Sequence, residues 1–171
     1  VTPYRGCLYC GLMITDDGPQ VLEYNCRFGD PAAQVVLPLI EGDLGEILLD
    51  VAGGILDPLS VRVSEASAVC VIIASGGYPD RYEAGKEVKG LDEASDENDV
   101  VVFHSGTKRQ GDKIFTAGGR VLGVTAVQAT GDLEQAIEKA YRSTRKITFD
   151  GAYFRGDIGS KAVNRLKAVA K

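Results

Sequence analysis

Glu23, Asn25 and Arg27, spaced two residues apart, are the part of this sequence richest in chemistry. In an extended segment such spacing places all three side chains on one face. A carboxylate and an amide oxygen are hard donors suited to Mg²⁺, which leaves its other positions to water and phosphate oxygens. A guanidinium next along that face can grip a phosphate or carboxylate with its planar fork. Just beyond, Gly29-Asp30-Pro31 has the form of a helix start, with Asp30 as N-cap and Pro31 in the first turn. Free N–H groups there would attract anions. Metal, guanidinium and amide donors around a spreading negative charge are what phosphoryl transfer requires. The same spacing also describes the solvent face of a plain hairpin strand with one ion pair, and spacing by itself favours that plainer reading.

The elements that must position these groups fall into two textures. Up to about residue 62, strand-like runs at 6–14 and 20–27 flank Thr15-Asp16-Asp17-Gly18-Pro19, which reads as a hairpin connection. Helical spacing follows at 32–39 and 43–52, where Gly53-Gly54 stops it. From about Ser64 the pattern changes. The unbroken apolar run 68–74 predicts a strand buried on both faces, ending in the turn Ser75-Gly76-Gly77-Tyr78-Pro79. Further strands are expected at 86–90, 99–104, 112–116, 120–129 and near 147–154. A helix is expected over 133–145, capped by Asp132, with Leu133, Ala136, Ile137, Ala140 and Tyr141 on its core face, and a terminal helix from about Ile158. The acidic stretch 92–99 reads as a solvated loop. Strands joined by hairpin-length loops with few helices predict an α+β fold.

At 171 residues, 44% hydrophobic and 25% charged, the chain has globular composition and length for one domain or one and a half. Its 24 acidic and 19 basic side chains leave a net charge of −5, which argues against nucleic acid or an anionic membrane as partner. No apolar run approaches the ~20 residues of a membrane span, and no signal-peptide layout opens the chain, so a cytoplasmic setting is expected. Val1 leads almost directly into a strand-like run, which reads as part of a longer polypeptide. Cys7 and Cys10 have metal-site spacing, but on a strand they point to opposite faces and no second Cys/His pair follows. Reduced thiols are therefore expected. His104 reads as a strand-end histidine rather than an acid or base, and Arg155 and Asp157 are as able to pair with each other as to meet a ligand.

The stretch Tyr4-Arg5-Gly6-Cys7-Leu8-Tyr9-Cys10-Gly11-Leu12-Met13 is followed by Glu23-Tyr24-Asn25-Cys26-Arg27-Phe28-Gly29-Asp30-Pro31 and Gln34-Val35-Val36-Leu37-Pro38-Leu39. These segments closely resemble the phosphoribosylamine–glycine ligase family of the ATP-grasp superfamily. The likeness continues in Ala74-Ser75-Gly76-Gly77-Tyr78-Pro79, Phe103-His104-Ser105-Gly106-Thr107, Gly118-Gly119-Arg120-Val121-Leu122 and Tyr153-Phe154-Arg155-Gly156-Asp157-Ile158-Gly159. Arg-Phe-Gly-Asp-Pro is its most specific segment.

The resemblance implies the end of an ATP-grasp domain over 1–62, then a small mixed C-terminal capping domain rich in antiparallel strands over 63–171. It implies a ligase of de novo purine synthesis that converts glycine and ATP to glycyl phosphate. The amine of 5-phosphoribosylamine then displaces phosphate. It further implies Glu23 and Asn25 as ligands of Mg²⁺ or Mn²⁺, and Arg27 as the catalytic arginine at the acyl phosphate. Gly29, Asp30, Ser75, Gly77 and Arg120 would line the substrate, with Asp30 chiefly a helix cap and Arg120 reaching toward the ribose phosphate. A glycine bend entering a strand is an equal reading of Gly118-Gly119-Arg120.

Two departures stand out: Ala32 where the family usually has Glu, and Gly76 where it often has Lys. The chain holds no P-loop, and the nucleotide lysines and lid of an ATP-grasp site are missing. These residues alone are therefore expected not to turn over ATP, and the N-terminal half of the enzyme is the expected partner. The alternatives are a non-catalytic docking and capping module, or an ATP-grasp ligase with a different amine substrate.

Overall fold

The computed structural model describes residues 2–169; Val1, which prompted the reading of a longer polypeptide, lies outside them, as do Ala170 and Lys171. The chain separates into two compact units, Val1–Ser64 and Glu65–Lys171.

In the first unit, β1 (Tyr9–Thr15) and β2 (Gly18–Asn25) form an antiparallel hairpin across Asp16-Asp17. Gly11 pairs with Glu23 while Leu12 pairs with Val21, so Leu22 is the extra residue of a bulge. Helix α1 (Ala32–Val36) runs into a 3₁₀ turn at Leu37–Leu39. A short strand β3 (Ile40–Glu41) then precedes helix α2 (Leu44–Gly53). Asp43 caps α2 by accepting from the N–H groups of Gly45 and Glu46 at 2.7 and 3.2 Å. Gly54, at φ +71°, closes it where only glycine is unstrained. Strand β4 (Arg62–Val63) pairs with β3. No described residue of this unit is buried, and Leu8, Ile14, Leu22 and Ile55 are 62–75% exposed.

The second unit has a conventional core. Its strands are β5 (Ser67–Ser75), β6 (Glu87–Val88), β7 (Val100–His104), β8 (Thr107–Gln110), β9 (Lys113–Thr116), β10 (Arg120–Gln128) and β11 (Ala152–Tyr153). Its helices are α3 (Leu91–Ser95), α4 (Leu133–Thr144) and α5 (Ser160–Val169). The main sheet runs β11-β5-β10-β7 and a smaller one β6-β9-β8, all antiparallel. Val71 and Ile73 of β5 and Val121, Leu122 and Val124 of β10 are fully buried, packed with Ala136, Ala140 and Tyr141 of α4. The Tyr141 hydroxyl donates to the Arg155 carbonyl at 2.7 Å and accepts from the Ile158 N–H at 3.0 Å, tying α4 to the chain entering α5.

The α+β architecture rich in antiparallel strands is as expected. The acidic stretch is not a solvated loop. It holds α3, with Ala94 fully buried, and the Glu97 carboxylate accepts from Arg142, Ser143 and Lys146.

Candidate functional site

Glu23 and Asn25 both lie on β2, two apart and past the bulge, so their side chains share a face. Gly11 stands opposite Glu23, and no side chain from β1 competes for the space there. An exposed carboxylate and a half-buried amide then present two oxygens together. The described residues contain no cluster of three or more His, Cys, Asp or Glu able to hold a metal, so there is no all-protein cage. Two hard oxygens fit an ion such as Mg²⁺ that keeps water and phosphate in its remaining positions. Cys7, Cys10, Cys26 and Cys70 are all free thiols, and Cys7 lies before β1 begins at Tyr9 rather than on the strand with Cys10.

The shared-face argument does not extend to Arg27. The strand ends at Asn25, and Arg27 sits in the following bend, its Nη1 donating to the Phe28 carbonyl at 3.1 Å. Nor is Asp30 the N-cap. That position falls to Pro31, and the Ala33 N–H that Asp30 would satisfy donates instead to the Gly29 carbonyl at 2.7 Å. Asp30 Oδ1 accepts from Gln34 Nε2 at 2.9 Å, one turn along. Because α1 spans only five residues, a helix-dipole anion site at its start has no support.

Two aromatic and cationic braces in this unit have no local signature in the sequence. The Tyr4 hydroxyl lies 3.0 and 2.9 Å from the carbonyls of Cys7 and Cys26, joining the chain entering β1 to the chain leaving β2. Arg5 Nη1 donates to the Gly53 carbonyl at 3.0 Å, setting a cation at the C-terminal end of α2.

In the second unit Ser75, Gly77 and Arg120 come together. Ser75 ends β5, is 3% exposed, and donates from its N–H to Gly119 O at 2.8 Å and from Oγ to Gly118 O at 2.9 Å. Gly77 has φ +91°, and a Cβ there would overlap the Arg81 carbonyl. Arg120 opens β10 opposite Ala74, with a bulge immediately after it. Gly76, the departure from the lysine often found in the family, has Gly151 O 2.8 Å from where a Cβ would stand, a close backbone approach that glycine accommodates.

Beside this turn, a cleft of about 400 Å³ is lined by Arg81, Tyr82 and Lys86 among others. Lys86 Nζ pairs with Glu83 at 2.8 Å and Asp150 at 3.2 Å, and those carboxylates, Glu83 first, raise its pKa. His104 ends β7, with Nδ1 and Thr107 Oγ1 3.0 Å apart, in keeping with a strand-end role. Arg155 holds Asp157 in a two-pronged contact at 2.9 and 2.6 Å, which raises the guanidinium pKa and lowers that of the carboxyl.

Family profiles match the chain in two places: "Phosphoribosylglycinamide synthetase, C domain" over residues 68–161, and "Phosphoribosylglycinamide synthetase, ATP-grasp (A) domain" over residues 1–33. A phosphoribosylamine–glycine ligase of Chlorobaculum tepidum is 48% identical over 160 residues, covering 94% of this chain and 37% of the relative. One of Synechocystis sp. is 50% identical over 162 residues, covering 94% and 38%. The crystal structure of a phosphoribosylamine–glycine ligase from Thermotoga maritima superimposes with a TM-score of 0.72 at 34% identity, over 88% of this chain and 36% of that one. The chain thus spans a little over a third of the length of these relatives.

Proposed function

The chain belongs to the phosphoribosylglycinamide synthetase family, and from that premise we propose that it is the C-terminal portion of an ATP-dependent ligase joining glycine to 5-phosphoribosylamine. Residues 1–62 are the end of the ATP-grasp domain and 63–171 the capping domain, an assignment supported by the separate matches of the two profiles. No helix among the described residues is long and apolar enough to cross a membrane, and a cytoplasmic setting is part of the proposal.

The observation that carries this reading is the shared face of Glu23 and Asn25, with glycine opposite the carboxylate. These two residues would hold Mg²⁺ or Mn²⁺. The bound ion would supply charge neutralisation to the phosphates of ATP. Arg27, in the bend directly after the strand, brings a guanidinium to the acyl phosphate formed from glycine, and Gly29 and Asp30 line the substrate beside it. In the second unit Arg120 takes the phosphate of the ribosylamine, while Ser75 and Gly77 shape the turn against it. The first unit, in which no described residue is fully buried and many apolar side chains stand open, supports the remaining, N-terminal part of the ligase as its partner.

The test is ADP release by the full-length enzyme as wild type and as Glu23→Ala. Release should require both glycine and 5-phosphoribosylamine and should fall by roughly a hundredfold or more in the variant, as on loss of a catalytic electrostatic group. Release independent of 5-phosphoribosylamine would point to another amine substrate. An unimpaired variant would remove Glu23 from the metal site. The 171 residues alone should release no ADP.

A further inference from the structure

Arg120 enters β10 from a segment gripped on several sides. Ser75 donates twice into the carbonyls of Gly118 and Gly119, and the Gly106 N–H donates to the Arg120 carbonyl at 2.8 Å. Two aromatic rings also lie against this segment. A Cβ on Gly119 would overlap the Tyr78 ring and would stand 3.1 Å from Tyr82 Cε1, so both rings lie directly on the residue before the arginine. The rings also lean on each other, with centroids 6.2 Å apart and planes tilted by 58°. They belong to a loop that is secured at its far end, where Lys86 pairs with Glu83 and Asp150.

Such an arrangement exceeds what a strand start needs. β10 is already paired with β5 from Arg120 to Gln128 and with β7 over Leu122–Ala126. The rings therefore add constraint at one place, the backbone that aims the Arg120 side chain. We propose that Tyr78 and Tyr82 are positioning residues for Arg120, presetting its guanidinium for the phosphate of the sugar-phosphate amine by packing against Gly119. This rests on the reading above that Arg120 meets that phosphate. The tyrosine rings touch no reacting atom, and their effect on binding passes through the arginine. A guanidinium held in place before the ligand arrives loses less freedom on binding, so the ring contacts show as affinity for that one substrate.

A double-mutant cycle in the full-length ligase tests this, with Tyr82→Ala and Arg120→Ala singly and together. Tyr82→Ala should raise KM for 5-phosphoribosylamine by roughly tenfold, with KM for glycine, KM for ATP and kcat all within about twofold of wild type. Tyr82→Phe, which keeps the ring, should restore the wild-type KM. In the Arg120→Ala background, Tyr82→Ala should add less than about a twofold change. An equal effect of Tyr82→Ala in both backgrounds, or a parallel rise in all three KM values, overturns the positioning role. If Arg120→Ala itself leaves KM for 5-phosphoribosylamine unchanged, the phosphate assignment of Arg120 fails instead. Tyr82→Leu takes the place of Tyr82→Ala if the smaller side chain prevents folding.

Discussion

Gly11 stands directly across the hairpin from Glu23, and a Cβ on Gly11 would lie 3.0 Å from Glu23 Cγ. That spacing is tight enough to move a carboxylate without unmaking the hairpin, because the atom it meets lies on a flexible stem. Gly11→Val in the full-length ligase should therefore raise the Mg²⁺ concentration for half-maximal ADP release by about three- to tenfold, while the melting temperature changes little. An unchanged Mg²⁺ requirement would separate the Gly11 clearance from metal binding.

Gly77 and Gly85 both have positive φ, at +91° and +82°, but differ in what surrounds them. A methyl group at 77 would overlap the Arg81 carbonyl, whereas nothing lies within 4 Å of one at 85. Gly85→Ala should cost only the backbone strain, about 1 kcal/mol, and Gly77→Ala about 2–4 kcal/mol because the loop must also shift. Thermal unfolding of the two variants side by side measures the difference. Equal losses would mean that the Arg81 carbonyl yields freely.

The parts of this fold that could be read from sequence are those whose signal is carried by burial. The apolar run ending at Ala74 and the stripe Ala136, Ala140, Tyr141 announce β5 and α4 because a core demands apolar residues at fixed spacing. β8 carries no such signal. Thr107-Lys108-Arg109-Gln110 is polar throughout and is a strand only because β9 pairs with it across the turn at Gly111-Asp112. α3 is hidden for a related reason: a five-residue helix with Asp92 and Glu93 in its first turn looks solvated, yet Ala94 and Glu97 anchor the segment by contacts distant in sequence. At the candidate site, the alternation of Glu23 and Asn25 could be read directly. The bend that carries Arg27 off the strand, and the Gly29 carbonyl that displaces Asp30 from its cap, depend on backbone hydrogen bonding that residue types do not encode.

Glu97 should make the second unit acid-sensitive. The Arg142 guanidinium foremost, then Ser143 and Lys146, hold its carboxyl at about 2 against the opposing effect of burial, from an ordinary value of 4.5. A carboxyl depressed on folding contributes stability that is complete above pH 4.5 and is lost as pH falls from there through about 2. Fully expressed, a shift of this size is worth about 3 kcal/mol, and the solvent around half-exposed Arg142 screens it to about 1–2 kcal/mol. Glu97→Gln should accordingly lower the melting temperature at pH 7 and converge on wild type as pH approaches 2. A gap that stays constant with pH would remove the ion pairs as its cause.

The two units should also differ in how strongly they hold their own amide hydrogens. β5 and β10 lie in a core with Val71, Ile73, Leu122 and Val124 fully buried, whereas β1 and β2 have no buried residue and leave Leu12, Ile14, Val21, Leu22 and Tyr24 49–67% exposed. A two-stranded hairpin without cover is marginal in water, since its backbone bonds open while exposing little further apolar surface. Hydrogen exchange on the 171-residue chain should therefore find β5 and β10 slowed by about a thousandfold or more, with β1 and β2 within about tenfold of an unfolded chain. In the full-length ligase the hairpin amides should become as slow as those of β5, because the remainder of the enzyme would cover the apolar residues left open here. Equal protection of the hairpin and the core in the isolated chain would show that the first unit needs no such cover, and the argument for an N-terminal partner would then rest on the family alone.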